Sequence, residues 1–167
     1  MIPKHYPNWQ DTDTDNLEAQ GEDCMIIAEI LQKKGSAVTI VDRTANIADA
    51  IALLAEHKIG ALVVCDHAGA AAGIFTERDV VRMLNAFGAG ALAQSVSEAM
   101  TIDPITCRRT DKVSDVLSTM SRLHFRHMPV IENGTVAGIV SIRDLVLERL
   151  EHVETEAEAM RAYVAGT

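Results

Sequence analysis

Two seven-residue segments of the sequence pair a hydroxyl group with a carboxylate at the same spacing. Residues 73–79 read Gly-Ile-Phe-Thr-Glu-Arg-Asp, and residues 138–144 read Gly-Ile-Val-Ser-Ile-Arg-Asp. In each segment a Thr or Ser stands where a helix N-cap belongs, and an Asp follows three residues later. A free helix N-terminus attracts phosphate, and an Asp in its first turn can accept hydrogen bonds from a ribose diol. The pair therefore indicates nucleotide binding, with two plain helix-capping boxes as the alternative.

The same order of predicted elements leads to each segment. The first copy has a strand at 37–41, a helix opened by Thr44 or Asn46, a strand at 59–65, a turn at 66–69, a strand at 71–75 and a helix after Thr76. The second copy has a strand at 104–107, a helix capped by Asp111, strands at 128–131 and 136–140 around a turn at 132–134, and a helix from Ser141 that can continue past Leu150. Short helices precede the copies at 23–33 and 95–100. This order, found twice, indicates an internal duplication.

Neither copy is large enough to bury its own apolar faces well. The run 59–64 is apolar on both faces, which favours cover on both sides of its sheet. The helix after Thr76 is expected to use Val80, Val81, Leu84 and Phe87 as its apolar positions. We therefore predict an α/β (α+β) fold in which two pseudo-symmetric β-α-β-β-α repeats pack sheet to sheet with flanking helices. The two hydroxyl–Asp segments would then meet at shared clefts.

The composition predicts a cytoplasmic protein with an aliphatic core. Apolar residues make up 48% of the 167 residues but aromatic residues only 4%, so Val, Ile, Leu, Ala and Met must build the core. No apolar run approaches the roughly 20 residues of a membrane span, and no signal pattern opens the chain. The cysteines are odd in number and widely spaced, which favours free thiols over a disulfide framework or a zinc site: Cys24, Cys65 and Cys107. We expect a cytoplasmic protein without a membrane partner.

The formal net charge of −9 is concentrated at the two ends of the chain. Residues 1–23 carry a net charge of −5, residues 148–167 carry −3 and the middle carries −1. Acidic ends disfavour general binding to nucleic acid. We divide the chain into an acidic N-terminal tail (1–22), repeat 1 (23–89), repeat 2 (90–150) and an acidic C-terminal helix or tail (151–167). The Asp-Thr-Asp-Thr-Asp run at 11–15 is interpreted as a solvated loop, with calcium binding as a minor alternative.

The duplicated pattern resembles a tandem pair of cystathionine-β-synthase (CBS) domains, the Bateman module. The segments that carry the resemblance cover about residues 24–150 and are 38–41, 57–64 and 73–79 in repeat 1 and 104–107, 124–130 and 138–144 in repeat 2. It is most similar to the small stand-alone pairs of bacteria. The resemblance implies a regulatory module that binds an adenine nucleotide between the repeats: AMP above all, with ADP, ATP, S-adenosylmethionine or NAD(H) as other ligands. It also implies a flat homodimer and an unknown target protein.

Carried over by position, the resemblance implies two clefts that each mix the two repeats. In what we call the first cleft, Asp144 would bind the ribose, Ser141 phosphate or ribose, and Arg126 and His127 phosphate. The remaining residues expected there are the apolar walls Ile139 and Ile59, the backbone near Thr39, Gly60 and Ala61, and the rim residues Lys34 and Ser36. The second cleft would use Thr76, Arg78 and Asp79, with Ile74, Ile105 and the backbone from Phe125 to Met128. The first cleft is expected to bind anions better, because repeat 1 offers Gly60 and Ala61 where repeat 2 offers Arg126 and His127.

Two other classes of function compete with a nucleotide sensor. One is a ligand-independent module for dimerisation or protein interaction, in which the hydroxyl–Asp pairs only cap helices. The other is an enzyme or metal protein, but no histidine stands beside a recognisable nucleophile motif. A metal site built from His57, His124 and His127 has no support from ligand spacing. We therefore predict neither a catalytic residue nor a metal.

Overall fold

The computed structural model describes residues 25–66 and 71–165. The expected N-terminal tail, its Asp run, Cys24 and most of the predicted turn at 66–69 lie outside these residues. In chain order the helices are α1 (Ile27–Lys34), α2 (Ile47–His57), α3 (Glu77–Phe87), α4 (Val96–Ala99), α5 (Val113–Leu123) and α6 (Ile142–Ala165), with a 3₁₀ helix at Gly88–Ala93. The strands are β1 (Ile40–Asp42), β2 (Ala61–Cys65), β3 (Ala71–Thr76), β4 (Thr101–Ile102), β5 (His127–Glu132) and β6 (Thr135–Ser141).

Two sheets reflect the duplication. The first has the order β1-β2-β3-β4, with β1 parallel to β2 and the other neighbours antiparallel. The second is the antiparallel pair β5-β6. The strand predicted at 104–107 is reduced to a single parallel bridge from Cys107 to Val130, which corresponds to the Val41–Val64 pair of the first sheet. The predicted mixed α+β class is confirmed.

The helix starts were predicted with mixed success. Asn46 caps α2, since its side chain accepts a hydrogen bond from the backbone N–H of Asp49 at 2.8 Å. The expected cap of α5 by Asp111 is wrong. Lys112 occupies the cap position, and the Asp111 carboxylate instead accepts the backbone N–H of Arg108 at 2.8 Å. That contact closes the preceding turn, so the carboxylate serves the loop rather than the helix.

Each short helix packs into the core of the opposite half. Ile27, Ile30 and Leu31 of α1 belong to the core formed by α5, α6 and the second sheet. Val96 and Ala99 of α4 belong to the core formed by α2, α3 and the first sheet. Backbone hydrogen bonds hold each short helix in place. The N–H of Ile27 donates to the carbonyl oxygen of Asp111 (3.0 Å), and the N–H of Val96 donates to that of Ala45 (2.9 Å). The two halves are therefore interlocked, and the clefts lie between them.

The buried face of α3 differs from the prediction. Asp79 and Met83 are buried and Val80 is half-buried, whereas Val81, Leu84 and Phe87 are exposed. The prediction followed apolar content, but the helix is rotated so that the capping carboxylate of Asp79 faces inward. The three exposed side chains leave an apolar surface on α3.

Within the described residues, no helix combines the length and the apolar character required to cross a membrane.

Candidate functional site

A cavity of about 550 Å³ opens between the two halves at the second cleft. Its volume falls within the range of about 300–1,000 Å³ typical of small-molecule sites. It is lined by Gly60, Ile74, Thr76, Glu77, Arg78, Asp79, Val81, Thr101, Ile102, Asp103, Pro104, Ile105, Leu123, His124, Phe125, Arg126 and His127. The structure thus brings together the second-cleft residues Ile74, Thr76, Arg78, Asp79, Ile105 and Phe125, while Met128 lies in the second core.

Asp79 forms the polar end of this cavity and is only 7% exposed. Its Oδ2 accepts the backbone N–H of Thr76 at 2.9 Å and the Thr76 hydroxyl at 2.8 Å. Its Oδ1 accepts one hydrogen bond from Nη2 of Arg82, at 2.9 Å. Because a carboxylate oxygen has two lone pairs, Oδ1 keeps the capacity to accept a further donor. The capping box is formed, and it still leaves room for a ligand hydroxyl.

Arg78 links the two halves across the cavity. Its Nη1 donates a hydrogen bond of 2.7 Å to the carbonyl oxygen of His124, at the C-terminal end of α5. A guanidinium has five N–H donors, so this contact leaves others for an anion in the cavity. Arg78 therefore presents positive charge at the point where the two repeats meet.

His127 lies where β2 and β5 begin side by side. A Cβ added to Gly60 would stand 2.9 Å from Cε1 of His127, so only a glycine lets the imidazole lie this close. Burial lowers the pKa of His127, while the charges of Glu77 and Asp144 oppose that shift and those of Lys34 and Arg126 add to it. The imidazole is therefore held mainly neutral between charged groups from both repeats.

The cavity wall also contains residues expected at the first cleft. Gly60, Arg126 and His127 line it together with Arg78 and His124. Glu77, Asp79 and Asp103 supply the acidic side of the same wall. Arg78 and Arg126 are therefore the two cationic side chains of a wall that also carries three carboxylates, and they are the groups that could bind an anion there.

The second hydroxyl–Asp pair is engaged by a lysine. Lys34 Nζ lies 2.6 Å from Asp144 Oδ2, and the same oxygen accepts the backbone N–H of Ser141 at 2.9 Å. The Asp144 N–H donates in turn to the Ser141 hydroxyl at 3.2 Å, so this capping box is also formed. Burial alone would raise the pKa of Asp144, but the hydrogen bonds from Lys34 and Ser141 outweigh burial and lower it. The carboxylate at the first cleft is thus ionised and paired.

The other residues expected at the first cleft form backbone hydrogen bonds or differ in their burial. The Thr39 carbonyl accepts the N–H of Val63 at 3.1 Å, and the Gly60 carbonyl accepts that of Glu77 at 3.3 Å. Ala61 is buried, Ile59 and Ile139 are half-buried, and Ser36 is exposed.

Sequence reasoning missed the segment 101–104, which forms one side of the cavity. The duplication itself could have pointed to it. Ser36 was placed at the rim of the first cleft, and the offset of 66 that relates Ile47 to Val113 maps Ser36 onto Ile102. Ile102 is 62% exposed and lines the cavity.

Nothing in the described residues suggests a metal site or a reactive thiol. No group of three or more His, Cys, Asp or Glu side chains there could hold a metal ion. Burial raises the pKa of the Cys107 thiol to about 12 and also raises that of Cys65, so both thiols are poor nucleophiles at neutral pH.

The fold and the duplicated site define a tandem pair of related repeats. The chain belongs to the CBS domain family, whose model matches residues 27–86 and 96–151. The tandem pair suggested by the sequence is therefore confirmed.

Solved structures of CBS proteins share the fold over most of the chain. The CBS-domain protein ATU1752 of Agrobacterium tumefaciens is 42% identical, with a TM-score of 0.74 over 80% of this chain and 99% of that one. PAE2072 of Pyrobaculum aerophilum, solved in complex with AMP, is 27% identical, with a TM-score of 0.68 over 80% and 99%. The CBS pair of MJ0100, solved with 5′-methylthioadenosine and S-adenosyl-L-methionine, is 25% identical, with a TM-score of 0.66 over 78% and 98%. Such pairs support a regulatory, ligand-binding module.

Proposed function

We propose that this protein is a regulatory module that binds an adenine nucleotide, with AMP as the first candidate, in the second cleft. The observation that carries the proposal is the 550 Å³ cavity between the repeats, which joins the Thr76–Asp79 pair to Arg78, Arg126 and His127. It offers a carboxylate for a diol, cations for a phosphate and aliphatic or aromatic walls for a base.

The residues of the second cleft divide by chemistry. Asp79 would accept a ribose hydroxyl at Oδ1, since Oδ2 already accepts two hydrogen bonds from Thr76. Arg78 and Arg126 would bind the phosphate through charge-assisted hydrogen bonds. Adenine would lie among the apolar side chains of the wall, which are Ile74, Ile102, Ile105 and Phe125.

Binding at the first cleft would place a ribose beside the ion pair of Lys34 with Asp144. A ribose at Asp144 competes for a carboxylate that already accepts a 2.6 Å hydrogen bond from that ammonium group. We assign the first nucleotide to the second cleft because the cavity of about 550 Å³ lies there. The roles expected for Ser141, Ile139 and the backbone at Thr39 and Ala61 stay predictions for a nucleotide bound at the first cleft.

The ligand class rests on shared adenosine chemistry. PAE2072 was solved with AMP, and MJ0100 with 5′-methylthioadenosine, an adenosine thioether, and S-adenosyl-L-methionine, an adenosyl sulfonium. We propose AMP before ADP, ATP, S-adenosylmethionine or NAD(H), because the cations of the cavity wall suit a phosphate attached close to the ribose.

The output would be a change in contacts between proteins. A ligand that bridges the repeats favours one angle between them and so shifts a conformational equilibrium. We propose a homodimer of CBS pairs as the regulated assembly, acting on a target protein in a reducing cytoplasm where Cys65 and Cys107 stay as free thiols. We propose no catalytic activity for it.

A ligand-independent interaction module is the second candidate. One observation favours it: both hydroxyl–Asp pairs form capping boxes, which would explain these residue types without any ligand. The exposed side chains of Val81, Leu84 and Phe87 would then be a contact surface rather than a by-product of binding.

A thermal-shift titration of ligand-stripped protein separates the two candidates. The panel is AMP, ADP, ATP, S-adenosylmethionine, NAD⁺ and NADH, with GMP as the control for the base. A ligand at about 100 times its Kd should add about 2.7 kcal/mol to the free energy of unfolding. A shift with AMP and not with GMP is expected. No shift across the panel, together with no nucleotide released from unstripped protein on denaturation, would favour the interaction module.

A further inference from the structure

The last helix carries a heptad seam that begins inside the second CBS match and continues beyond it. α6 runs from Ile142 to Ala165, well beyond residue 151 where the second family match ends. Along it, apolar residues recur at alternating steps of four and three: Val146, Leu150, Val153, Ala157, Met160 and Val164. This is the a/d pattern of a coiled coil, in which Val146, Val153 and Met160 take d positions and Leu150, Ala157 and Val164 take a positions.

The seam is open to solvent in the single chain. Leu150 is 54% exposed, Val153 50% and Met160 67%, and all residues from 151 to 165 are exposed except His152 and Ala157, which are half-buried. Most helical stability in proteins comes from burying an apolar face, and the exposed stretch 151–165 buries little of its own in the single chain. Burial of the seam against a partner would therefore stabilise this part of the helix.

The charged residues that flank the seam favour a second copy of this chain as the partner. Arg149 and Glu156 are at g positions, and Glu154 and Arg161 are at e positions. In a parallel pair, a g residue meets the e residue five positions further on in the other helix. A second copy would place Arg149 against Glu154 and Glu156 against Arg161, so both pairs have opposite charges. The acidic segment 1–23, with its net charge of −5, is a poor occupant beside a helix end whose own net charge is −3.

We propose that residues 146–164 of α6 pair with the same residues of a second copy as a short parallel coiled coil. The seam is about 28 Å long at 1.5 Å per residue. Parallel pairing brings the two C-termini together and orients the two CBS pairs head to head. This goes beyond nucleotide binding, and it assigns a surface and an orientation to the homodimer proposed above.

Sedimentation equilibrium of the full chain tests the seam. The variant Val153→Glu/Met160→Glu adds two charges at d positions, and the matched control Thr155→Glu/Ala162→Glu adds them at f positions on the outer face. We expect the dimer Kd to rise at least tenfold in the first variant and to stay within twofold in the control. Equal dimer Kd values for all three proteins, or a monomeric wild type, would overturn the proposal. AMP binding by the d-position variant should persist, so the two proposals fail separately.

Cysteine cross-linking tests the orientation independently of dimer strength. In a Cys24→Ser background, Val164→Cys should form disulfide-linked dimers under mild oxidation, because parallel pairing places the two a positions face to face. Ala162→Cys, on the outer face, is the control and should cross-link little. Cross-linking of Val164→Cys only to a Val146→Cys chain would show antiparallel pairing and overturn the proposal, as would the absence of any link. A charge test completes the set: Arg161→Glu should weaken the dimer and Glu156→Arg/Arg161→Glu should restore it.

Discussion

Lys34 Nζ lies 2.6 Å from Oδ2 of Asp144, where the resemblance to CBS domains would place a ribose. The lysine comes from the end of α1 and the carboxylate from the first turn of α6, so the ion pair also ties together two helices that are distant in sequence. At the first cleft the carboxylate is thus paired with a lysine from α1, whereas at the second cleft the carboxylate of Asp79 is paired with Arg82 of its own helix.

The variant Lys34→Met should show how this ion pair affects Asp144. It removes the hydrogen bond that lowers the pKa of Asp144, so that pKa should rise, as followed by NMR of the side-chain carboxyl carbon. Both side chains are partly exposed, so the loss in unfolding free energy should be about 1 kcal/mol or less. A lowered carboxylate pKa stabilises the fold above the unfolded value near 3.9. The difference in unfolding free energy between the wild type and Lys34→Met should therefore disappear as the pH falls below about 4.

Lys33→Met is the matched control for that change. Lys33 pairs with Glu148 and Glu151 on the surface, one residue away from Lys34. Its replacement should leave the pKa of Asp144 unchanged. If both variants shift that pKa equally, the pairing of Lys34 with Asp144 is not what lowers it.

Arg126→Gln should weaken AMP binding by about 10- to 150-fold while leaving adenosine binding within twofold. The variant would remove the charge-assisted hydrogen bond that we propose from Arg126 to the phosphate. Such bonds typically contribute about 1.5–3 kcal/mol, and adenosine lacks the phosphate. Arg122→Gln is the control, because Arg122 lies on α5 but not on the cavity wall. Calorimetric titration with AMP and with adenosine gives the affinity of each protein for both ligands. Equal losses for AMP and adenosine would contradict a phosphate role for Arg126.

The low pKa of His127 predicts a specific loss of stability in mild acid. Because burial lowers the folded pKa below the unfolded value of about 6.5, the stabilisation is present above pH 6.5 and is lost as the pH falls from there through the folded pKa. Urea unfolding between pH 5 and 7.5 should show this slope, and His127→Gln should flatten it. His57→Gln, at the exposed end of α2, should retain the slope. Bound AMP should raise the pKa of His127, so binding near pH 6.5 should take up protons.

Gly60→Ala should disturb the start of both β2 and β5. The new methyl group would stand 2.9 Å from His127 Cε1 and 3.2 Å from Glu77 Oε2, which forces the imidazole to move. We expect a loss of about 1–3 kcal/mol in unfolding free energy, typical of overpacking, and weaker AMP binding. Gly90→Ala is the control, since its methyl group would meet nothing within 4 Å. Similar stabilities for both variants would show that His127 moves without cost.

The duplication and the local helix signals were readable from the sequence. The spacing from Thr76 to Asp79 and from Ser141 to Asp144 predicted two helix starts, and Asn46 a third, because capping depends on residues within one turn. The Asn133-Gly134 turn was readable for the same reason: both residues adopt positive φ, 50° and 78°, as a two-residue hairpin turn requires.

The sequence did not show which of these elements pack against one another. Periodicity shows that Ile27, Ile30 and Leu31 share a face, but not that this face packs into the opposite half. Likewise the apolar content of α3 suggested that Leu84 and Phe87 are buried, whereas Asp79 and Met83 take the inner face. The ion pair of Lys34 with Asp144 joins residues 110 positions apart, so no local pattern could indicate it.

The central claim is that the second cleft binds the nucleotide, and filling that cleft tests it most directly. Ile102→Trp places a large side chain in the cavity at a position that is 62% exposed, so the core is unchanged. Ile40→Trp is the control, at a 55% exposed position on β1 outside the cavity wall. Calorimetric titration of the stripped proteins with AMP should show wild-type affinity for Ile40→Trp and at least about tenfold weaker binding for Ile102→Trp. Equal AMP affinity in all three proteins would contradict binding in the second cleft.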